Sequence, residues 1–312
     1  MRPAHPSGLS EDARNELAAV VPHKTCDRLA ELSALFHAAG RVHLLGRGRI
    51  AVHLDVASSA VARRAFSLLR GFDVEAEIRT YRTRAFDRRT RYQLHVAGDG
   101  RALQVLNEAG VLTASLAPLE RPPKRVVSRG CCRGAYLRGA FLGAGSLSGP
   151  EAPHLEIRCT SREGADFIAA LGREEGLELG VRDRRHDVVA YAKRRETIAS
   201  LLASAGANDI VLVFEERSVV SSTKARANRL ANADHANLVR ASRAAYPQIQ
   251  AVERLTRRGQ LDALPAHLRE LAELRVRHPT LSLRELALKC RPPSTKAAVQ
   301  RRLQKLLQLG KP

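Results

Sequence analysis

The sequence predicts an α+β protein in which two copies of one half-domain are followed by an all-α segment. A stretch rich in small residues at 131–145 has a second copy at 26–40, an offset of 105 residues (131 minus 26). From about residue 218 onward, the chain carries helix start and stop signals. With 312 residues and a hydrophobic content of 44%, the chain is long enough for two or three folded domains.

The stretch 131–145 predicts a helix with one flat face. Ala135, Gly139 and Gly143 are spaced four residues apart, so a helix places them in one ridge where another backbone can approach closely. A glycine inside a helix costs roughly 1 kcal/mol relative to alanine. The retention of several glycines in one helix therefore indicates that close packing is required there.

The partner of this helix is predicted to be its own copy. Aligned at the constant offset, the two stretches share the pairs Cys26/Cys131, Arg28/Arg133, Ala30/Ala135, Leu32/Leu137, Phe36/Phe141, Ala39/Ala144 and Gly40/Gly145. An internal repeat of this kind predicts two similar halves related by a pseudo-dyad. We expect the two helices to pack against each other on that axis.

The charge balance indicates a polyanionic partner. The net charge is +20 and the isoelectric point is about 10.8, which favours nucleic acid or an anionic membrane surface. The arginine-rich composition of GC-rich genomes explains part of the arginine usage but not so large an excess over acidic residues. Aromatic residues are only 4% of the chain and tryptophan is absent, which argues against stacking on single-stranded bases.

The five cysteines predict neither a zinc site nor a disulfide framework, because their number is odd and no Cys-x-x-Cys pair occurs. We expect no metal and no cofactor. The N-terminus lacks the apolar core of a signal peptide, and no run reaches the length of a membrane span. A cytoplasmic, nucleoid-associated protein without a membrane partner is therefore expected.

The domain boundaries follow from the repeat. We expect an N-terminal extension at 1–20 with a short helix, and a two-repeat domain at 21–217. Repeat one covers 21–114, repeat two covers 124–217, and a proline-rich linker joins them. Each repeat is predicted to run helix, hairpin, helix, hairpin, helix. In repeat one the strands are expected at 41–45, 49–54, 73–81 and 91–96, with helices at 60–69 and 102–109.

Repeat two shows the same order of patterns. Strands are expected at 154–159, 177–181 and 188–192, and helices at 165–172 and 195–205. A short apolar segment at 210–214 ends the repeat. Each repeat also carries a basic hairpin tip, at 79–91 in the first and at 182–186 in the second.

The first basic tip is a candidate phosphate-contacting loop on a nucleic-acid-facing sheet. Its arginines outnumber its single aspartate too strongly for a self-neutralising surface, although a solvated loop with scattered charge is the alternative. The candidate DNA contacts in this tip are Arg82, Arg84, Arg88 and Arg89.

The C-terminal segment predicts a helix-turn-helix. A polar linker is expected at 218–237 and a helical domain at 238–312, beginning with a helix at 238–255 that kinks at Pro247. Pro265 suits the first turn of a helix that ends at Arg277. Ser282 and Glu285 form a capping box that opens a helix at 283–289, and a last helix runs to about residue 309. The helix-turn-helix therefore spans 282–309.

The last helix has the pattern of a recognition helix. Val299, Leu303, Leu306 and Leu307 form its apolar stripe. Small residues near the N-terminus and long donors beyond suit entry into the major groove, while an ordinary basic amphipathic helix is the alternative. The candidate DNA contacts here are Ser294, Thr295, Lys296, Ala297, Gln300, Arg301, Gln304 and Lys305, with Ser294 or Thr295 as the cap.

The segment at 137–145, and more faintly that at 32–40, resembles the signature helix of LAGLIDADG homing endonucleases. Together with the following 154–157, the chain after about residue 20 resembles the WhiA family of bacterial sporulation and cell-division transcription regulators. The resemblance implies a degenerate two-repeat LAGLIDADG homing endonuclease-like domain followed by an all-α helix-turn-helix domain. The run containing Asn228 and Arg229 resembles the family's entrance to the DNA-binding domain and adds both as candidate DNA contacts; a capped turn between two helices is the alternative.

The resemblance also implies that nuclease chemistry is lost. A working homing endonuclease needs an acidic residue at the penultimate position of each signature helix, because paired carboxylates hold the divalent metals that activate water. Those positions are Ala39 and Ala144 here, and neither can bind a metal. Nearby Asp27, Glu31 and Glu151 lie at the wrong end of the helix or beyond it.

The favoured hypothesis is a sequence-specific DNA-binding transcription regulator of sporulation or cell division that is not an enzyme. Its expected partner is double-stranded promoter DNA, with a transcription factor or RNA polymerase as a candidate protein partner. Two alternatives remain open from the sequence. One is an active metal-dependent DNA endonuclease, and the other is a non-specific DNA- or RNA-binding protein.

Overall fold

The computed structural model describes residues 8–46, 49–83, 90–149 and 151–311. The chain divides into two compact units, Met1–Ser222 and Thr223–Pro312. The first unit contains the mixed α/β part predicted from the repeat, and the second is all-helical. An α+β fold class is therefore confirmed.

The first repeat consists of one four-stranded antiparallel sheet and its helices. An N-terminal helix precedes it, and the bounds are α1 Leu9–Ala19, α2 Thr25–Ala39, β1 Gly40–Gly46, β2 Arg49–Val56, α3 Ser59–Arg70, β3 Ala76–Arg82, β4 Thr90–Ala97 and α4 Gly100–Glu108. The strand order is β1-β2-β4-β3. The order helix, hairpin, helix, hairpin, helix matches the prediction.

The second repeat has the same topology. After a short 3₁₀ helix at Lys124–Val127, its elements are α5 Gly130–Ala144, β5 Gly145–Leu147, β6 Leu155–Cys159, α6 Arg162–Glu174, β7 Gly180–Asp183, β8 Val188–Ala192 and α7 Arg195–Ala205. The sheet order β5-β6-β8-β7 repeats that of the first sheet position by position. The predicted internal repeat is confirmed at the level of topology.

Helices α2 and α5 form the centre of the first unit. Each is 15 residues long, and both bounds differ by the same 105 residues that relate the two sequences (130 minus 25 and 144 minus 39). A Cβ added to Gly139 would lie 2.4 Å from the carbonyl oxygen of Glu31, and one added to Gly143 would lie 2.7 Å from the Cβ of Ala38. The glycine ridge therefore exists because the two backbones are in contact.

The apolar core of the first unit is continuous across both repeats. Leu32 and Leu35 of α2 lie in the same buried cluster as Leu137 and Phe141 of α5. The inward-facing residues of both sheets join this cluster, because alternate strand residues point to the helix-covered face. The opposite face of each sheet is left for polar side chains.

Helix α1 belongs to this unit, which corrects the expectation of a separate N-terminal extension at 1–20. Leu9, Ala13 and Leu17 are buried in the common core. The hydroxyl of Ser10 donates to the carbonyl of Leu147 at 2.9 Å, and the Arg14 guanidinium donates to the carbonyl of Gly145 at 2.5 Å. Helix α1 therefore packs against repeat two, a long-range contact that local sequence patterns do not reveal.

The expected polar linker at 218–237 is wrong. One helix, α8 Asn208–Arg257, covers it completely, together with the predicted apolar segment at 210–214 and the predicted helix at 238–255. Asparagine lowers helix propensity by less than about 1 kcal/mol per residue, and the many alanines of this stretch offset that cost. The N-terminus of α8 is capped by the Glu16 carboxylate, which accepts from the backbone N–H groups of Asp209 and Ile210 at 2.8 Å each.

The second unit contains three further helices around its own core. They are α9 Ala266–Arg277, α10 Leu283–Lys289 and α11 Lys296–Leu309. Val252 and Leu255, near the end of α8, pack with these helices. The core is small and apolar, built from Leu268, Leu271, Ala272, Leu286, Ala287, Cys290, Val299, Leu303 and Leu306.

Candidate nucleic-acid interface

Helix α11 is amphipathic in the way that the sequence predicts. Val299, Leu303 and Leu306 are no more than 1% exposed, and they fix the helix against the core of the second unit. Thr295 is the N-cap, and its hydroxyl accepts a hydrogen bond from the backbone N–H of Ala298 at 3.2 Å. The cap is therefore Thr295 rather than Ser294, whose backbone N–H donates to the carbonyl of Ala287 instead.

The polar face of α11 is open to solvent. Ser294 is half-buried, and every other predicted contact residue of this helix is exposed: Thr295, Lys296, Ala297, Gln300, Arg301, Gln304 and Lys305. Helix α11 contains no acidic residue. This face thus offers cationic and amide donors on a rigid element, which is the chemistry needed to contact phosphates and base edges.

Two sets of hydrogen bonds hold the helices around α11 in place. The capping box at the start of α10 is present, with Ser282 Oγ accepting from the N–H of Glu285 at 3.3 Å and the Glu285 carboxylate accepting from the N–H of Ser282 at 2.8 Å. The second set is formed by Arg275, which the sequence analysis did not identify. It is 3% exposed and donates to the carbonyl of Leu281 at 2.9 Å, and burial lowers the pKa of its guanidinium. Arg275 therefore ties the α9–α10 turn to the end of α9.

Asn228 and Arg229 lie on helix α8 with exposed side chains. The alternative of a capped turn between two helices is wrong, because the helix is continuous here. Neither residue contributes to either apolar core. Neither side chain is needed for packing, and both remain candidates for contacts with DNA.

Only part of the first basic tip can be located. Arg82 is exposed at the end of β3, whereas Arg84, Arg88 and Arg89 lie outside the described residues. Two neighbouring arginines are engaged within the sheet, since Arg79 pairs with Glu77 at 2.7 Å and Arg91 Nε donates to Asp55 at 2.7 Å. Among the described arginines of this tip, Arg82 is thus exposed and does not form an ion pair of this kind.

The second basic tip is partly neutralised. Arg184 donates to both carboxylate oxygens of Glu156, at 3.0 and 2.5 Å, while Arg182 and Arg185 are exposed. His154 Nε2 also lies 3.1 Å from a carboxylate oxygen of Glu156 and donates to it when that nitrogen carries the proton. Burial alone would raise the pKa of Glu156, but His154 and Arg184 outweigh it and hold that pKa below the ordinary value.

Three histidines lie together on the outer face of the first sheet, which the sequence analysis did not single out. His43 Nε2 is 2.9 Å from His53 Nδ1 with the rings stacked, and the register of β2 and β4 places His95 opposite His53. Burial lowers the pKa of His53, and the neighbouring His43 and His95 lower it further. The strand alternation of these three positions could have revealed the cluster. It adds hydrogen-bonding groups to this face, and the lowered pKa of His53 disfavours a positive charge on that ring.

The two positions that correspond to endonuclease carboxylates meet in one cleft. Ala39 and Ala144 are the last residues of α2 and α5, and both line an open cleft of about 890 Å³. The cleft also contains Asp55 and Asp187, but Asp55 is held by Arg91 and by the hydroxyl of Tyr81. Basic side chains line the same cleft: Arg41, His53, Arg91 and Arg158.

The part of this cleft that the structure describes contains no cluster of metal ligands. Among the described residues, no group of three potential metal ligands forms there, because the methyl groups of Ala39 and Ala144 replace the central carboxylates. The basic lining instead favours a polyanion without supplying metal ligands. Across the part of the chain that the structure covers, no helix is long and apolar enough to span a membrane.

Three family models match the chain in succession. They are the WhiA N-terminal LAGLIDADG-like domain at residues 25–112, the WhiA LAGLIDADG-like domain at 133–224 and the WhiA C-terminal HTH domain at 227–310. Their order and extents agree with the two repeats and the helical unit. The boundary between the last two models, at 224–227, falls inside helix α8.

Similar proteins extend over the same length. The chain is 35% identical over 306 residues to a probable cell division protein WhiA from Symbiobacterium thermophilum, covering 97% of each chain. It is 34% identical over 304 residues to a probable cell division protein WhiA from Heliobacterium modesticaldum, covering 97% of this chain and 95% of the relative. Among solved structures, full-length DUF199/WhiA from Thermotoga maritima matches with a TM-score of 0.57 and 23% identity over 97% of this chain and 98% of that chain.

Proposed function

The chain belongs to the WhiA family, and on that premise we propose that it is a sequence-specific DNA-binding transcription regulator of sporulation or cell division, acting at promoter regions. The observation that carries the proposal is helix α11. Its apolar stripe is buried, its N-terminus is capped, and its opposite face presents exposed donors without an acidic residue. A helix held in this way can enter the major groove as a rigid reading element.

The contacts divide by position along the helix. Lys296 stands in the first turn, where an ammonium group meets a phosphate or a base at the groove edge. Arg301 lies further along the exposed face, where a guanidinium can donate two hydrogen bonds to guanine. Ala297 is small and exposed between them, which permits close approach of the helix to the bases. Arg301 is thus the proposed specificity contact, and Lys296 the proposed positioning contact.

The test is a titration of wild-type protein and Arg301→Ala against a footprinted genomic site and a scrambled duplex, at two salt concentrations. Loss of one bidentate base contact costs roughly 1–3 kcal/mol at the cognate site. We expect Arg301→Ala to lose that affinity on the footprinted site while keeping most of the weak, salt-sensitive binding to the scrambled duplex.

Arg257→Ala is the matched control, because Arg257 is an exposed arginine of the same unit on the scaffold helix α8. It removes the same charge without touching α11. Equal losses by Arg301→Ala on both duplexes would make Arg301 a phosphate contact. A loss no larger than that of Arg257→Ala on either duplex would mean that α11 does not lie in the groove, and the proposal that α11 is the recognition helix would be withdrawn.

The endonuclease-like unit is proposed to be catalytically inactive. Ala39 and Ala144 cannot hold the divalent cations of a hydrolytic centre, and Asp55 beside them is compensated by Arg91. The expected result is no cleavage of plasmid or of the footprinted site with Mg²⁺ or Mn²⁺. Cleavage by the purified protein that disappears in Ala144→Arg would overturn this proposal and restore the nuclease hypothesis.

Non-specific binding of DNA or RNA is the second candidate function, and the net charge of +20 favours it. It predicts equal affinity for the footprinted and scrambled duplexes and no protected site.

A promoter-binding regulator would instead act in the cytoplasm on the nucleoid. There, a transcription factor or RNA polymerase is its candidate protein partner.

A further inference from the structure

Three cysteines and one aspartate come together where helices α2 and α5 begin. Cys26 and Asp27 lie in the first turn of α2, and Cys131 and Cys132 lie in the first turn of α5. One ligand atom from each of the four residues lies within 4.8 Å of all the others. The two pairs are 105 residues apart in sequence, and the packing of the repeated helices brings them into contact.

The spacing of these atoms fits a small tetrahedral site. The Sγ atoms of Cys131 and Cys132 are 3.9 Å apart, and Cys26 Sγ is 3.5 Å from Asp27 Oδ1. A tetrahedron with metal–sulfur bonds of about 2.3 Å has sulfur–sulfur edges of about 3.8 Å. The cluster therefore needs little rearrangement to surround one ion.

The surroundings suit a bound cation with thiolate ligands. The N-termini of α2 and α5 both meet the cluster, and their dipoles favour negative charge there, whereas burial and the neighbouring Asp27 raise the pKa of the Cys132 thiol. Cys132 is buried, Cys26 and Asp27 are partly buried, and Cys131 is exposed. One side of the site is thus closed by protein and the other gives an ion access from solvent.

We propose that Cys26, Asp27, Cys131 and Cys132 form a structural site for a divalent thiophilic metal ion, with Zn²⁺ as the ion of choice. Three sulfur ligands select a soft or borderline ion over Mg²⁺ or Ca²⁺. Four protein ligands complete a tetrahedron and leave no open position for substrate, which is the arrangement of structural zinc sites. The site lies at the opposite ends of α2 and α5 from Ala39 and Ala144, so it is separate from the vacant endonuclease positions.

A disulfide explains the cluster less well than a metal. A disulfide between Cys26 and either cysteine of α5 leaves the third thiol unpaired and gives Asp27 no role. A metal uses all four groups and links one repeat to the other at the first turns of their central helices. The ion would therefore hold the two halves together without any Cys-x-x-Cys spacing in the sequence.

The test uses the full chain, reduced, stripped of metal with a chelator and titrated with Co²⁺ and then Zn²⁺. We expect one Co²⁺ per chain, with the sulfur-to-cobalt charge-transfer band and the visible bands of tetrahedral cobalt, all displaced by Zn²⁺. X-ray absorption of the zinc-loaded wild type should give three sulfur ligands and one oxygen. This measurement needs no variant and so does not depend on any variant folding.

Cys131→Ser is the chosen variant, because Cys131 is exposed and its replacement leaves the core unchanged. Loss of a second-shell partner alone weakens metal binding about 10–100-fold, so loss of a direct ligand should weaken Zn²⁺ binding at least about tenfold. Cys290→Ser is the matched control: Cys290 lies in the second unit, and serine retains its hydrogen bond to the Leu286 carbonyl. Its Zn²⁺ affinity should equal that of the wild type.

Three results would overturn the proposal. One is reduced wild-type protein that shows no cobalt–thiolate band. Another is equal Zn²⁺ affinity in Cys131→Ser and wild type. The third is protein that binds no metal when reduced and whose mass falls by two hydrogen atoms on mild oxidation. Two of the three cysteines would then form a redox-active disulfide instead of a metal site.

Discussion

Glu31 is fully buried between Arg64 of helix α3 and Arg138 of helix α5. Arg64 donates to both of its carboxylate oxygens, at 2.6 and 2.9 Å, and Arg138 donates to one of them at 2.9 and 2.8 Å. Arg138 also donates to the carbonyl of Ala205 at 3.0 Å. One carboxylate therefore links both repeats, and its geometry satisfies two buried guanidinium groups at once.

Glu31→Gln should destabilise the first unit by about 3–5 kcal/mol, because it leaves two buried arginines without a counter-charge. The amide also replaces one acceptor oxygen with a donor that faces donors. Urea unfolding of the full chain, followed by circular dichroism, measures the change.

Glu77→Gln is the control for this prediction, since Glu77 pairs with Arg79 on the exposed surface. That variant should unfold at the same urea concentration as the wild type. If both variants unfold together, the buried network contributes no more than a surface pair, and the prediction for Glu31 is wrong.

At the scale of the element, the contact between α2 and α5 depends on the absence of side chains. The carbonyl oxygen of Glu31 lies where a Cβ of Gly139 would stand, and the Cβ of Ala38 lies close to the corresponding point on Gly143. These distances are shorter than any van der Waals contact, so a methyl group can enter only if the helices separate.

Gly139→Ala should therefore destabilise the protein although alanine is the better helix former. The gain in helix propensity is roughly 1 kcal/mol, and overpacking in a core costs about 1–3 kcal/mol with further loss as the helix interface opens. Thermal unfolding should show a lower midpoint for this variant.

Gly100→Ala provides the opposite case. Gly100 begins helix α4, and no atom of the described residues lies within 4 Å of an added Cβ. The same substitution should leave stability unchanged or raise it by about 0.4–1 kcal/mol. A higher midpoint for Gly139→Ala than for Gly100→Ala would refute close packing as the reason for the glycine ridge.

At the scale of the whole molecule, the described residues of the two repeats share one apolar core. Buried residues of α2 and α5 belong to one cluster, and side chains of helix α1 donate hydrogen bonds to the carbonyl groups of Leu147 and Gly145 in repeat two. An isolated repeat would therefore expose a large apolar surface to water.

Residues 1–115 expressed alone should be unfolded or aggregated, whereas residues 1–222 should fold cooperatively, since they correspond to the compact first unit. Amide resonances and a single unfolding transition measure this difference. A soluble 1–115 fragment with sharp, dispersed resonances would contradict the shared core.

Sequence alone predicted the repeat, the order of elements in both halves, the buried stripe of α11 and its exposed face. These features are periodic or related by a constant offset, so they are visible in the order of residues. The capping box at Ser282 was equally visible, because both of its partners lie within four residues. Local patterns of this kind survive folding when tertiary packing supports the same local structure.

Tertiary structure alone decided the features that join distant residues. The hydrogen bonds of Glu31 with Arg64 and Arg138 and the docking of α1 on repeat two each join residues tens of positions or more apart, and no spacing rule encodes such contacts. Local sequence patterns also could not predict that α8 is continuous. Its fifty residues have modest helix propensities, so a helix and an unstructured linker have similar free energies without tertiary packing. Packing of its two ends into separate cores and the cap from Glu16 favour the helix.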